Sequence, residues 1–155
     1  RLRHRGAAWG AGVQDLSVRR IATMAEGVLG GGRAALDISR VAAPDQPLGP
    51  LGRVLMSALL VAGEALPRGG TILCAGDPGT QLVLQPVGEG AAWPAGLAGL
   101  LGGEDPVAAA AAAGPRGVAA PMLMALARRE GVAVSLLMGA DLPLLGLVPP
   151  PPPPG

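Results

Sequence analysis

The apolar residues that follow position 17 recur at the spacing of one helix face. This pattern predicts a helix that Asp15 or Ser17 caps and that Gly30 to Gly32 end, because short polar side chains accept hydrogen bonds from the free N–H groups of a first turn. Pro50 then begins a longer apolar run, Leu51 to Leu66. Its apolar residues lie nearly all round the predicted helix, which indicates a buried, central element. The face residues of the first helix are Ile21, Met24, Ala25, Val28 and Leu29.

Two stretches in the first half of the chain have the composition of strands. The segment "RAALDIS" (33–39) predicts one strand. The segment "TILCAGDPGTQLVLQPV" (71–87) predicts a hairpin that turns at Asp77. We expect Asp37 to lie at the end of its strand.

The second half continues with a Gly-rich loop, predicted as irregular over 88–103. Asp105 caps a short predicted helix through the alanines 108–113. A further helix is predicted over 118–130, and a closing hairpin over 132–148. The element order predicts an α+β two-layer sandwich, a mixed β-sheet with helices on one face.

Composition narrows the classes of function. The formal net charge of +1 and the absence of Phe and Tyr provide neither an electrostatic nor a stacking surface for nucleic acid. No apolar run reaches the roughly 20 residues that span a bilayer, so we expect no membrane association. Aromatic residues make up only 1% of the chain, and the core must therefore consist of Leu, Val, Ala and Met. Met122, Met124 and Met138 are expected to fill gaps in it.

The chain has a single cysteine, Cys74, so an internal disulfide is excluded. A lone cysteine fits the reducing cytosol, and the predicted location is cytoplasmic. Cys74 lies on an apolar predicted strand and is interpreted as a buried thiol.

A specific resemblance begins at the end of the long helix. Val54-Leu55-Met56, Ala62, Pro67 and Gly69-Gly70-Thr71-Ile72 resemble the first box of the histidine-kinase ATP-binding domain. That box is an apolar helix, a Pro/Gly break and a strand. The resemblance implies a degenerate kinase-like (Bergerat-like) fold.

The resemblance also implies that the nucleotide chemistry is lost. In active kinases the helix carries two Asn residues, one of them a magnesium ligand, whereas the matching positions here are Ser57 and Val61. A valine side chain offers no oxygen to a hard cation. We therefore predict no metal and no cofactor.

The two later kinase boxes are degraded as well. The second keeps Gly88 and Gly90 but has Pro86 or Val87 where an Asp binds adenine in kinases. The third, which wraps the triphosphate in kinases, keeps Gly114 and Gly117, and its continuation is "VAAP". Trp93 is interpreted as covering the collapsed site.

A narrower family fits the chain over 1–148. Four segments resemble, in order and spacing, the ChpT-type histidine phosphotransferases of alphaproteobacteria, and "EALPRGG" is the most telling match. The resemblance implies two parts, the end of a dimerisation-hairpin helix (1–12) and a degenerate kinase-like domain (13–148). The residues after them, 149–155, are interpreted from their composition as a polyproline tail. The segments are "RLRHRGAAWGAG", "LSVRRIATMAEGVLGGGRAALDIS", "LGRVLMSALLVAGEALPRGGTI" and "GVAAPMLMALARREGVAVSLLM".

The family resemblance implies a phosphorelay. A phosphoryl group passes from the Asp of one receiver domain to a His on the hairpin and then to a second receiver, since a neutral imidazole is nucleophilic near pH 7. The implied partners are response-regulator receiver domains, which supply the magnesium, and a second copy bound through the hairpin. This chain is expected to dock receivers and not to be catalytic alone.

The only histidine, His4, is not interpreted as the phosphoryl acceptor. An acceptor His sits in mid-helix beside an acidic residue, whereas Arg5 and Gly6 follow His4. The acceptor is expected upstream of Arg1, and the chain is interpreted as the C-terminal part of a longer protein. We predict no catalytic residue within it.

Two alternatives stay open at the level of sequence. One is a structural or dimer-supporting interaction domain with no role in a relay. The other is a divergent, active histidine-kinase ATPase domain in which Glu64 or Glu89 acts as an acid. An acidic residue after a helical His in the upstream coding sequence supports the relay, whereas saturable ATP binding supports the ATPase.

Overall fold

A computed structural model describes residues 16–113, 117–139 and 142–151 of the chain. Within these ranges five α-helices surround one face of a five-stranded sheet. The helices are α1 (Val18–Ala25), α2 (Pro50–Glu64), α3 (Leu97–Leu101), α4 (Pro106–Ala113) and α5 (Ala119–Glu130), and a 3₁₀ turn covers Leu29–Gly32. The strands are β1 (Ala34–Val41), β2 (Gly70–Asp77), β3 (Gln81–Val87), β4 (Ala133–Leu137) and β5 (Leu144–Val148).

The sheet has the strand order β1-β2-β3-β5-β4. β1 runs parallel to β2, and the three other pairs are antiparallel, so the sheet is mixed. A parallel pair needs a crossover, and α2 provides it between β1 and β2. This α+β arrangement confirms the predicted fold class.

Alternate residues of the central strands are buried under the helices. Ile72 and Cys74 of β2 and Leu82 and Leu84 of β3 point to the helical layer, while their neighbours on the opposite face are half-buried. One face of the sheet therefore packs on the core, as the period-two pattern of a strand requires.

Helix α2 is the centre of the core. Pro50 occupies its first turn, and its buried residues are Leu51, Gly52, Val54, Leu55, Ala58, Leu59, Val61, Ala62 and Gly63. The two flanking helices α1 and α5 contact α2 and not each other to any large extent. The prediction of a buried central helix is confirmed, except along one stripe that stays open to solvent.

Local signals in the sequence formed as predicted. The Ser17 hydroxyl caps α1 by accepting from the backbone N–H of Arg20 at 3.2 Å. The Asp105 carboxylate accepts from the N–H of Val107 at the start of α4. Asp77 forms the turn between β2 and β3, where its carboxylate accepts from the N–H of Gly79 at 2.8 Å.

Other predictions were wrong. Helix α1 ends at Ala25 rather than Leu29, because Gly27 takes a positive φ of 80° and a 3₁₀ turn follows. The stretch predicted as irregular contains α3, whose Leu97 and Leu100 enter the core. Asp37 lies within β1 rather than at its end, beside a β-bulge.

Some predicted features lie outside the described residues. These are the segment 1–12 with His4, the glycine Gly114, and residues 152–155 of the polyproline tail.

Candidate functional site

The helix-to-strand join after α2 contacts the glycines of the predicted second box. A Cβ on Gly88 would clash with the carbonyl oxygen of Gly69 and lie 2.9 Å from the Leu66 side chain. Gly90 has a positive φ of 74° and lies beside the ring of Pro67. Two motifs that are separated in sequence therefore meet at one end of α2, and close backbone packing is the reason for a glycine at position 88.

Two further contacts join the end of α2 and the residues after it to the loop that follows β3. The backbone N–H of Ala92 donates to the carbonyl of Ala65 at 2.9 Å, which holds the loop after β3 against the end of α2. The guanidinium of Arg68 also pairs with the carboxylate of Glu89 on the exposed side. Glu89 is thus placed on the surface next to an arginine.

The two positions predicted to correspond to the kinase Asn residues have different environments. Val61 is 0% exposed and belongs to the core of α2, where it cannot contact a ligand. Ser57, one turn earlier, is half-buried and lines a groove. The residues present do not fit a nucleotide-bound magnesium ion, because the groove beside Ser57 is otherwise apolar.

That groove lies between α1, α2 and α5 and has a volume of about 400 Å³. Ile21 and Leu59 belong to the core beneath it, and Met24, Leu60 and Met122 stand at its edges. Apart from the Ser57 hydroxyl, only apolar side chains line it. We call it the helical groove. Its chemistry suits an apolar ligand surface rather than a triphosphate.

A second, more open groove of about 650 Å³ continues from the helical groove past Val28 and Leu60. Glu64 and Arg33 line it, together with Pro67 and Pro94. Partial burial raises the pKa of Glu64 above its ordinary value. Glu64 is one of the two acids considered for an active ATPase, and it is the last residue of α2. The other, Glu89, pairs with Arg68 instead.

The remaining predicted positions lie elsewhere. Gly117 is exposed and lines a different groove, between α3, α4 and the start of α5. Trp93 is half-buried, and its indole N–H donates to the carbonyl of Pro143 at 2.7 Å, so it ties the loop to the start of β5. Neither residue lines the helical groove or its continuation.

The sequence-based prediction was wrong for two of the three methionines. Met124 is buried as predicted, but Met122 is 58% and Met138 is 96% exposed. Met122 lines the helical groove together with Leu126, which follows it by one turn on α5. Leu60 at 51% and Met24 at 51% exposure complete an open apolar surface. The sequence feature that could have indicated this open surface is the hydrophobicity of α2 all round the helix.

The titratable groups of the described residues form no metal cluster. Residues 16–113, 117–139 and 142–151 contain no group of three or more His, Cys, Asp or Glu side chains that could hold a metal ion. Hydrogen bonds from Ser39 lower the pKa of Asp37, which is half-buried on β1. Burial raises the pKa of the Cys74 thiol to about 12, and this thiol is buried as predicted.

No helix in the described part of the chain has the length and hydrophobicity needed to cross a bilayer.

Comparisons with known proteins agree with the resemblance found in the sequence. Residues 18–141 match the family described as the histidine phosphotransferase C-terminal domain. A solved structure of a bacterial phosphotransferase superposes with a TM-score of 0.61 at 19% identity, over 90% of this chain and 67% of that chain. A blue-light-activated histidine kinase from Erythrobacter litoralis has a TM-score of 0.44 at 15% identity, over 86% of this chain and 45% of that chain. No curated protein sequence matches.

Proposed function

The chain belongs to the family of histidine phosphotransferase C-terminal domains, and from this premise we propose that it docks response-regulator receiver domains for His–Asp phosphoryl transfer and does not bind ATP. The match spans most of the described residues, from the start of α1 to the end of β4. The chemical step itself is assigned to a histidine outside these residues, since they contain none.

The burial of Val61 is the single observation that supports the proposed absence of ATP binding most strongly. In a kinase-like domain this position of the central helix must present an oxygen ligand to magnesium, and here it presents two methyl groups to the core. A triphosphate without its cation would meet the apolar walls of the helical groove. Desolvating that much negative charge against methyl groups is strongly unfavourable.

A domain without nucleotide can still serve a relay. The phosphoryl group travels between carboxylate and imidazole, and the receiver provides the magnesium that neutralises it. The C-terminal domain then contributes binding surface and orientation, which hold the donor and acceptor atoms in line. Its open apolar groove is suited to such contacts.

The nucleotide part is tested by calorimetric titration of the chain with ATP and Mg²⁺. We expect no saturable heat up to millimolar ATP, whereas saturable binding at micromolar concentrations supports an active ATPase domain instead. An ATP-binding histidine-kinase domain serves as the positive control under the same buffer conditions.

The docking part is tested separately, by titrating the chain into fluorescently labelled receiver domains from proteins of the same relay. We expect saturable, salt-dependent binding that unlabelled receiver competes away. If no receiver binds while ATP binding is also absent, the domain is structural and the relay role is wrong.

A further inference from the structure

The three helices that form the helical groove run side by side, so the two ends of the groove can be told apart. A Cβ on Gly52 would lie 3.3 Å from Leu16, and a Cβ on Gly63 would lie 2.8 Å from Gly30, so α1 runs parallel to α2. Helix α5 runs the opposite way. Its residues Met122 and Leu126 line the helical groove with the middle of α2, whereas its first residue, Ala119, lines the continuation of the groove with Glu64 at the end of α2.

Helix periodicity places three arginines towards one end of this groove. Arg20 precedes Met24 by one turn on α1, and Arg53 precedes Ser57 by one turn on α2. Arg129 lies in the last turn of α5. Because α5 is antiparallel to α2, that turn lies towards the same end of the groove. All three side chains are exposed, and none forms a salt bridge within the described ranges. Of the nearby carboxylates, Asp45 is already paired with Arg19, and Glu130 follows Arg129 in sequence. The three arginines therefore outnumber the carboxylates available to them at this end.

The walls of the groove are as distinctive as its charged end. Met24, Met56 and Met122 all line it. Leu60 stands between them with half of its surface in solvent. Flexible, polarisable methionines on an open apolar surface adapt to the face of a bound helix. Single exposed apolar residues are ordinary, but a contiguous groove of them indicates a binding surface.

We propose that the helical groove binds an amphipathic helix of a partner protein whose acidic residues contact Arg20, Arg53 and Arg129. The apolar face of that helix packs against Met24, Leu60 and Met122. Acidic residues favour the first turn of a helix, because the macrodipole is positive there. The partner helix therefore enters with its N-terminal end at the three arginines.

Electrostatic repulsion argues against two other occupants of the helical groove, the segment 1–15 and a second copy of this chain. The segment 1–15 of this chain carries Arg1, Arg3 and Arg5, which would repel the basic end of the groove. In a symmetric pair each copy places the same patch against its own image, so the arginines of two copies would meet or remain without acidic partners. An acidic helix from a different protein satisfies all three guanidinium groups.

The test uses fluorescein-labelled synthetic helices of about 15 residues, the length at which an isolated helix becomes stable. The first peptide has a leucine stripe and three glutamates in its first turn. Its matched control has lysines in place of the glutamates. Anisotropy titration of the full chain should give about tenfold tighter binding of the acidic peptide, as three exposed ion pairs provide. Equal affinity for the two peptides, or no binding, overturns the proposal.

Variants locate the binding surface. L60Q and M122Q change half-exposed side chains, so the fold tolerates them, and each should weaken binding of the acidic peptide about tenfold. V107Q is the control, since Val107 is 73% exposed on α4 and lines neither groove. The double variant R53E/R129E should reverse the preference in favour of the lysine peptide. Unchanged affinity in L60Q, or a concentration-dependent dimer that L60Q abolishes, contradicts the proposal.

Discussion

Ser57 and Val61 lie one turn apart on α2 but in opposite environments, one at the edge of the helical groove and the other in the core. Four residues of an α-helix leave the two side chains about 40° apart around the helix axis. This rotation is enough to move the side chain of Val61 from the groove into the core. Restoring an Asn at each position separates the two consequences.

The variant V61N should destabilise the protein by about 3 kcal/mol, because it buries an amide without partners and removes valine packing. The matched variant S57N should change the free energy of unfolding by less than about 1 kcal/mol, since its side chain reaches the groove. Denaturant unfolding measures both. If V61N is as stable as the wild type, or if it gains ATP binding, the account of a buried, lost metal position is wrong.

A second prediction concerns the contact between α2 and the 3₁₀ turn. A Cβ on Gly63 would lie 2.8 Å from the backbone nitrogen of Gly30. Helix propensity alone predicts that G63A gains about 1 kcal/mol. Overpacking against backbone costs about 1–3 kcal/mol, so we expect a net loss of about 1 kcal/mol in denaturant unfolding.

The control for that contact is G96A. No atom lies within 4 Å of a Cβ at this position, and its φ of −80° suits any residue. Its free energy of unfolding should match the wild type to within about 0.5 kcal/mol. A stabilised G63A would show that the helix can move away from the turn.

Alkaline pH provides a third prediction. The pKa of Cys74 rises from an ordinary value of 9.0 to about 12 in the folded chain, because burial penalises the thiolate. Between these values the unfolded thiol is ionised and the folded thiol is not. Stability that is fully present below pH 9.0 is therefore lost as the pH rises towards 12, by at most about 1.4 kcal/mol per pH unit.

This titration is unusually easy to assign, because the chain contains no lysine and no tyrosine. No other side chain type has an ordinary pKa in the same interval. Urea unfolding at a series of pH values should therefore show a decline for the wild type and a flat profile for C74A. A parallel decline in C74A would place the titrating group elsewhere.

The sequence predicted the parts of the fold that depend on local signals. Pro50 and the apolar run after it predicted α2, and Asp77 predicted the turn of the first hairpin, because these residues determine local backbone geometry. The end of α1 was wrong, since Gly27 stops the helix before the apolar period ends. Helix α3 was not predicted because it is rich in glycine, with Gly96 directly before it and Gly99 within it.

The candidate site was predicted less completely. The assignment of Ser57 and Val61 to the kinase Asn positions rests on the resemblance and stays a prediction, whereas the helical groove was not predicted. It exists only where three helices that are far apart in sequence come together, and Met122 and Leu60 looked like core residues in their own helices. Tertiary packing, not periodicity, decides which apolar stripe remains open.

Phosphoryl transfer in the absence of nucleotide is the most direct measure of the proposed function. The longest natural protein that contains this sequence should be incubated with a receiver domain phosphorylated on its Asp, in Mg²⁺ and without ATP. We predict that an acid-labile, base-stable phosphoryl group appears on a histidine of the protein and passes on to a second receiver. A protein that remains unphosphorylated by every receiver of its relay, or that labels itself from ATP, would contradict the account.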